Sequence, residues 1–188
     1  NDLLRSLPTH AYSQELKLEY YKTAEWANVC MADFLDDGRY AQHYWQRGSE
    51  WQDSILQLLP PHSVEYRFWK ASRQWGTGHA DSLIADFRYV YEHVEPQQRL
   101  SAQAAYNLSV LYGMQNDARQ QRDYLIRAAI SDQRAQLKES AALQELALAL
   151  KHDGGEEARA NEYLRLAIDD ALFYGNRLRL VKIARKVP

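Results

Sequence analysis

Apolar residues recur along this chain at helical spacing and show no sustained strand-like alternation, and that pattern restricts it to a helical fold. Leu143, Leu146, Ala147 and Leu150 fall at i, i+3, i+4 and i+7. Leu164, Ala167, Ile168, Ala171 and Leu172 repeat the pattern, as do Leu83, Phe87, Val90 and Val94. Each set shares one face of a helix, and each face needs a partner surface to leave water. With 8 glycines and 5 prolines in 188 residues, the chain lacks the turn formers of a hairpin-rich sheet. The expectation is all-α, with no strands and at least seven helices.

Turn signals divide the periodic segments. Asp36-Asp37-Gly38 is expected to end a helix that begins near Glu15, and Pro60-Pro61 a second that begins near Tyr40. Ser63 is a candidate cap for a third helix, which stops at Gly76-Thr77-Gly78, and Glu95-Pro96 closes a fourth. Ser101 is a candidate cap for a fifth, Asn116-Asp117 separates it from a sixth, and Asp153-Gly154-Gly155 ends a seventh. Gly175-Asn176 parts an eighth helix from a short final one. Glycine suits the residue after a helix because it accepts a left-handed backbone. Loops this short make consecutive helices antiparallel neighbours.

Helical hairpins in series suggest a repeat. Asn107-Leu108, Tyr112, Asp117, Tyr124 and Ala128 match the tetratricopeptide pattern in spacing, with Ala128 as the small residue where two helices cross closely. A second unit contains Leu146, Leu150, Gly154-Gly155, Tyr163-Leu164 and Ala167. Two weaker units precede these, one placing Trp69, Trp75, Gly78, Leu83 and Phe87, the other Trp26, Val29, Gly38 and Tyr44-Trp45. The expected architecture is a tetratricopeptide-like helical-repeat solenoid, an α–α superhelix, forming a single domain over 1–188. Ala128, Ala167, Gly38 and Gly154 are its expected structural positions.

Signals for chemistry are sparse. His10, His43, His62, His79, His93 and His152 are scattered, without metal-ligand spacing on one helix face. His79 and Asp81 flank a turn, where such a pair ordinarily caps a helix or faces solvent. No nucleophile elbow, phosphate loop or dinucleotide fingerprint occurs. Adjacent carboxylates such as Asp36/Asp37, Glu156/Glu157 and Asp169/Asp170 diverge on a helix, whereas catalytic carboxylates converge. The lone Cys30 reads as a buried small hydrophobe. No run of about 20 apolar residues is present to span a membrane. Lys and Arg total 23 against 25 Asp and Glu, a balance that argues against direct nucleic-acid binding. The expectation is a binding module rather than an enzyme, with no cofactor and no metal.

Aromatic residues are the richer signal, with 5 Trp and 13 Tyr, several crowded between Tyr20 and Trp51. Most such side chains fill a core; any remainder is free to line a groove for a peptide or a sugar. Trp69, Asn107 and Tyr112 are the candidate binding residues. Asn107 stands where tetratricopeptide domains often hold a ligand backbone.

Two segments carry a more specific resemblance: Leu143-Gln144-Glu145-Leu146-Ala147, and Asp170-Ala171-Leu172-Phe173-Tyr174-Gly175-Asn176-Arg177-Leu178-Arg179. They resemble an uncharacterised family of transmembrane regulators of Gram-negative bacteria, with departures at Gly175 and in the Gly154-Gly155 turn. A weaker likeness reaches back through Leu59-Pro60 to about Tyr20. The resemblance implies an extracytoplasmic helical-repeat sensor, a membrane helix C-terminal to it, and a cytoplasmic portion like a transcription regulator. By that reading this chain is the membrane-proximal part of a longer sensor region, on the periplasmic face of the inner membrane. Its partner would be a protein or peptide, or else a small ligand. Asp170, Arg177 and Arg179 would form a signalling tail. The chain's start without methionine and its stop at Val187-Pro188 fit a piece of something longer. The competing reading is a cytoplasmic tetratricopeptide scaffold that assembles a multiprotein complex.

Overall fold

The computed structural model describes residues 12–35, 38–135, 141–153 and 155–186. Among these residues there are nine α-helices and no strands. They are α1 Gln14–Leu35, α2 Gly38–Leu58, α3 Val64–Arg73, α4 Ala80–His93, α5 Arg99–Met114, α6 Ala118–Arg134, α7 Ala141–Asp153, α8 Glu157–Phe173 and α9 Arg177–Lys186. The chain divides into two compact units, Asn1–Trp75 and Gly76–Pro188.

In the first unit α1 and α2 form an antiparallel hairpin. Gln14 Nε2 donates to the Leu58 carbonyl at 3.0 Å, so the start of α1 meets the end of α2. Farther along, Gln52 Nε2 donates to Glu25 Oε1 at 2.8 Å. A Cβ on Gly48 would stand 3.4 Å from Val29 Cγ2, so the two helices run close at that level. Ala24, Ala32 and Ile55 are buried between them, and Tyr20 packs edge-on to Trp51 with centroids 5.7 Å apart. Buried Asn28 avoids an unpaired amide by donating to the Ala24 carbonyl one turn back, at 2.6 Å. The α3 helix follows, capped as expected by Ser63, whose Oγ accepts from the Tyr66 N–H at 3.0 Å. Arg73 holds Asp53 with two nitrogens at 2.7 and 3.3 Å, joining α3 to α2. Both partners are exposed, so the pair fixes geometry more than it stabilises.

The second unit is a run of hairpins. Gln115 Nε2 donates to Asp81 Oδ1 at 3.0 Å, which sets α5 antiparallel to α4. The α5–α6 hairpin turns through Asn116, whose φ of 59° is left-handed. Asparagine tolerates that conformation. Asp117 then caps α6 by accepting from the Gln120 N–H at 3.0 Å. Gly155 (φ 80°) and Gly175 (φ 63°) provide the corresponding turns before α8 and α9. Leu125, Leu146, Leu150 and Ala160 form a buried cluster that joins α6, α7 and α8, with Tyr106 and Tyr163 against it. Fully burying a Leu of this kind stabilises the fold by about 1.5–3 kcal/mol.

Several sequence expectations need correction. Ser101 does not cap α5; that helix begins at Arg99 after Gln98. Ser101 instead lies inside it, buried, with Oγ 3.4 Å from Ser131 Oγ of α6. The helix that Asp36-Asp37-Gly38 was expected to end does stop at Leu35, but Gly38 itself is the first residue of α2, and a Cβ there would meet nothing within 4 Å. Nothing local therefore requires glycine at that position. Cys30 is half-buried rather than fully enclosed. Gly154 lies outside the described residues.

Ala128 and Ala167 are 1% and 0% exposed, so a larger side chain at either position would have to enter a packed interior. Replacing either with Leu should overpack the hairpin and cost roughly 1–3 kcal/mol, read as a lowered urea midpoint. An unchanged midpoint for Ala128→Leu would show that the small-residue crossing is elsewhere.

Candidate functional site

The three candidate binding residues meet different fates. Trp69 is buried in the first unit, edge-on to Phe68 with centroids 5.5 Å apart. Its indole Nε1 has no hydrogen-bond acceptor among the described residues. Asn107 is half-buried on α5. Tyr112, five residues on, points about 140° away around the helix, so the two do not share a face. Tyr112 itself is buried and engaged.

Its surroundings form a compact aromatic–cationic cluster across α4, α5 and α6. Tyr112 and Tyr124 stack with centroids 5.5 Å apart and planes within 10°. Tyr91 meets Tyr124 edge-on at 6.0 Å. Arg88 donates from Nη2 to the Tyr112 hydroxyl. Arg127 lies 5.3 Å from the Tyr124 centroid and 5.9 Å from that of Tyr91, and its Nε binds Asp123 at 2.8 Å. Aromatic pairs of this kind add about 0.5–1.5 kcal/mol beyond their buried area. The cluster therefore joins three helices, with Tyr112 and Tyr124 buried and Arg88 and Arg127 exposed at its edge.

An open site is found farther along the same unit. Between α6 and α8, over α7, lies a groove of about 560 Å³. Leu143, Leu146 and Leu150 of α7 make its floor. Ile126 and Ile130 of α6, with Tyr163 and Leu166 of α8, make its apolar walls. Both wall helices start at the same end of the groove, where Arg122 of α6 reaches Glu156, the residue before α8, at 3.3 Å. Arg159 binds the same carboxylate at 2.7 Å, so two guanidinium groups share one carboxylate there. Arg134 and Asp170 lie toward the other end. Ligand sites are commonly apolar clefts of this size with a few placed polar groups.

The expected tail residues are also placed. Asp170 lines the groove. Arg177 is exposed at the start of α9. Arg179 turns inward, donating from Nη1 to Gln144 Oε1 at 3.2 Å. Gln144 is 0% exposed, and its Nε2 and the Arg179 Nε have no further partner among the described residues. The groove was missed in the sequence although a signal existed. Ile126 and Ile130 extend the apolar face of α6 beyond the stripe that holds Tyr124, Leu125 and Ala128, and a stripe wider than one contact requires points to a second contact. Among the described residues no cluster of His, Cys, Asp or Glu could hold a metal, and no helix is long and apolar enough to cross a membrane.

Burial pushes the Tyr124 phenol above its ordinary value, with Arg88 opposing in part. A raised folded pKa means that this contribution is fully present below the unfolded value and is lost as pH rises through the folded one. In an ultraviolet pH titration, the difference between the native chain and Tyr124→Phe should show a phenol ionising above pH 10. Its ionisation should accompany loss of stability, and a difference curve centred below pH 10 would contradict the enclosed cluster.

The comparisons fit the repeat architecture. No curated protein matches the chain. The family model described as the SusR N-terminal TPR domain matches residues 1–185. With helical hairpins in series and a family match over nearly its whole length, the chain belongs to the SusR N-terminal TPR domain family.

Proposed function

We infer that this chain is the extracytoplasmic sensor part of a membrane-anchored transcriptional regulator, receiving its signal by binding a protein or peptide. The observation that carries the binding role is the half-open apolar groove over α7, whose walls leave Ile130 46% and Leu166 40% exposed. Large apolar side chains grouped along one groove are the usual mark of an interaction surface. The family is described as an N-terminal domain of SusR, which agrees with a sensor that precedes other parts. The anchored arrangement rests on the resemblance of segments 143–147 and 170–179. Their residues Gln144 and Arg179 meet in a part-buried hydrogen bond, a physical connection by which movement in the repeats would reach the tail.

The test uses the full-length protein. Fractionation should find it in the membrane, with this region open to protease from outside the inner membrane. A soluble, protected protein would favour the cytoplasmic scaffold instead. Arg177→Glu, at an exposed position, should alter a transcriptional readout while leaving the melt of this chain within about a degree, since surface substitutions usually change stability by no more than about 0.5 kcal/mol. Unchanged signalling would reduce α9 to a cap on the last repeat.

A further inference from the structure

We propose that the outer edge of the tyrosine–arginine cluster on α4, α5 and α6 is a carboxylate-binding site, in which Arg88 supplies the charge and the Tyr112 and Tyr124 hydroxyls supply further hydrogen bonds. None of the residues of that cluster lines the groove over α7, so the proposal stands apart from the reading above. Its first support is the state of Arg88. The side chain is exposed, and its hydrogen-bond partners among the described residues are the hydroxyl of Tyr112 and, after it, that of Tyr124. Both are phenols rather than carboxylates. Glu92, one turn farther along α4, is exposed and forms no ion pair with Arg88 among the described residues. A guanidinium has five N–H donors, and two phenol oxygens leave several of them without an acceptor in the protein.

The second support is the pair of hydroxyls. Tyr112 and Tyr124 are each 7% exposed, and each accepts from Arg88. A phenol that accepts from a guanidinium keeps its own proton to donate. Neither proton has an acceptor among the described residues. Donors therefore converge where no acceptor is present, and an ionised acceptor binds such donors about twice as strongly as a neutral one. Because two buried, stacked rings already hold the guanidinium, a ligand need not immobilise it. The third support is the charge balance. Arg127 lies 5.3 Å from the Tyr124 centroid and is paired with Asp123 at 2.8 Å. Asp123 thereby answers Arg127, and Arg88 keeps its charge. A single cation of this kind suits a monoanion. A carboxylate fits the planar guanidinium with two oxygens, whereas a phosphate dianion would bring a second negative charge beside buried rings, at a desolvation cost.

The experiment follows the arginine Nε–H signals of the full 188-residue chain by nuclear magnetic resonance. The probes are acetate, N-acetyl-triglycine with its free chain end, and an N-acetylated glycine–glutamate–glycine amide with its glutamine counterpart. The Arg88 signal should move and saturate with at least one carboxylate probe and stay still with the glutamine peptide. The probe that binds most tightly identifies the source as a small acid, a chain end or an acidic side chain. Variants are followed through the Tyr124 ring signals, with the melt of each checked in parallel. Arg88→Gln should lower the affinity about tenfold, the usual effect of losing a charged hydrogen bond. Arg88→Lys should recover part of that loss, since it restores the charge without the planar fork. Tyr112→Phe keeps the stacked ring and should weaken binding several-fold. No saturation with any carboxylate would overturn the proposal, as would affinity retained in Arg88→Gln or an equal response to the glutamine peptide. Tighter binding of inorganic phosphate would overturn the stated ligand class. Equal shifts at all arginines would mean ionic screening rather than a site, and equally end the proposal.

Discussion

Close crossing of helices at small residues is the constraint on which the second unit depends. Ala104, Ala105, Ala128, Ala147, Ala160, Ala167 and Ala171 are all buried. An alanine at a crossing lets the backbones approach and brings the larger neighbours into contact. Tyr112 can stack on Tyr124 because α5 and α6 are this close. Ser101 can reach Ser131 at the other end of the same hairpin for the same reason. In a repeat architecture each hairpin contacts chiefly its neighbours, so a local misfit passes to the next interface rather than being absorbed by one central core.

The same geometry produces the groove. The α6 and α8 helices run side by side over α7, and their facing walls have no further helix between them among the described residues. Where the α4–α6 region fills its junction with tyrosines and arginines, the α6–α8 region leaves its junction open, with Ile126, Ile130 and Leu166 partly in water. The two regions share similar materials, aromatic or aliphatic side chains bordered by arginine. They differ in whether the aromatic rings stack across the interface or stop at its edge.

The tail shows a different balance. Gln144 and Arg179 bury polar atoms with only part of their hydrogen-bonding capacity used. A buried donor without an acceptor costs about 1–3 kcal/mol, so apolar side chains would serve simple packing better at this contact. The bond does locate α9 relative to α7 across 35 residues of sequence. Its specificity lies in the register it sets between the two helices.

Much of this was legible beforehand. The period of the apolar residues gave the helices. The Ser63 cap and the Asn116-Asp117 and Gly175-Asn176 turns gave boundaries close to those observed, because these depend on local backbone chemistry. Ala128 and Ala167 were readable as inward-facing positions, and both are buried, because a small residue within an apolar stripe faces a neighbouring helix. The sequence alone did not reveal how each face would be covered. Ser101 looked like a cap, yet its hydroxyl sits opposite Ser131, thirty residues away. Tyr112 read as a candidate binding residue, and its stacking on Tyr124 and its bond from Arg88 are contacts that the sequence did not show. The groove draws its walls from α6 and α8 and its floor from α7. Periodicity states which side of a helix is apolar, whereas only the packing of neighbouring helices decides which part of that side is left open to solvent.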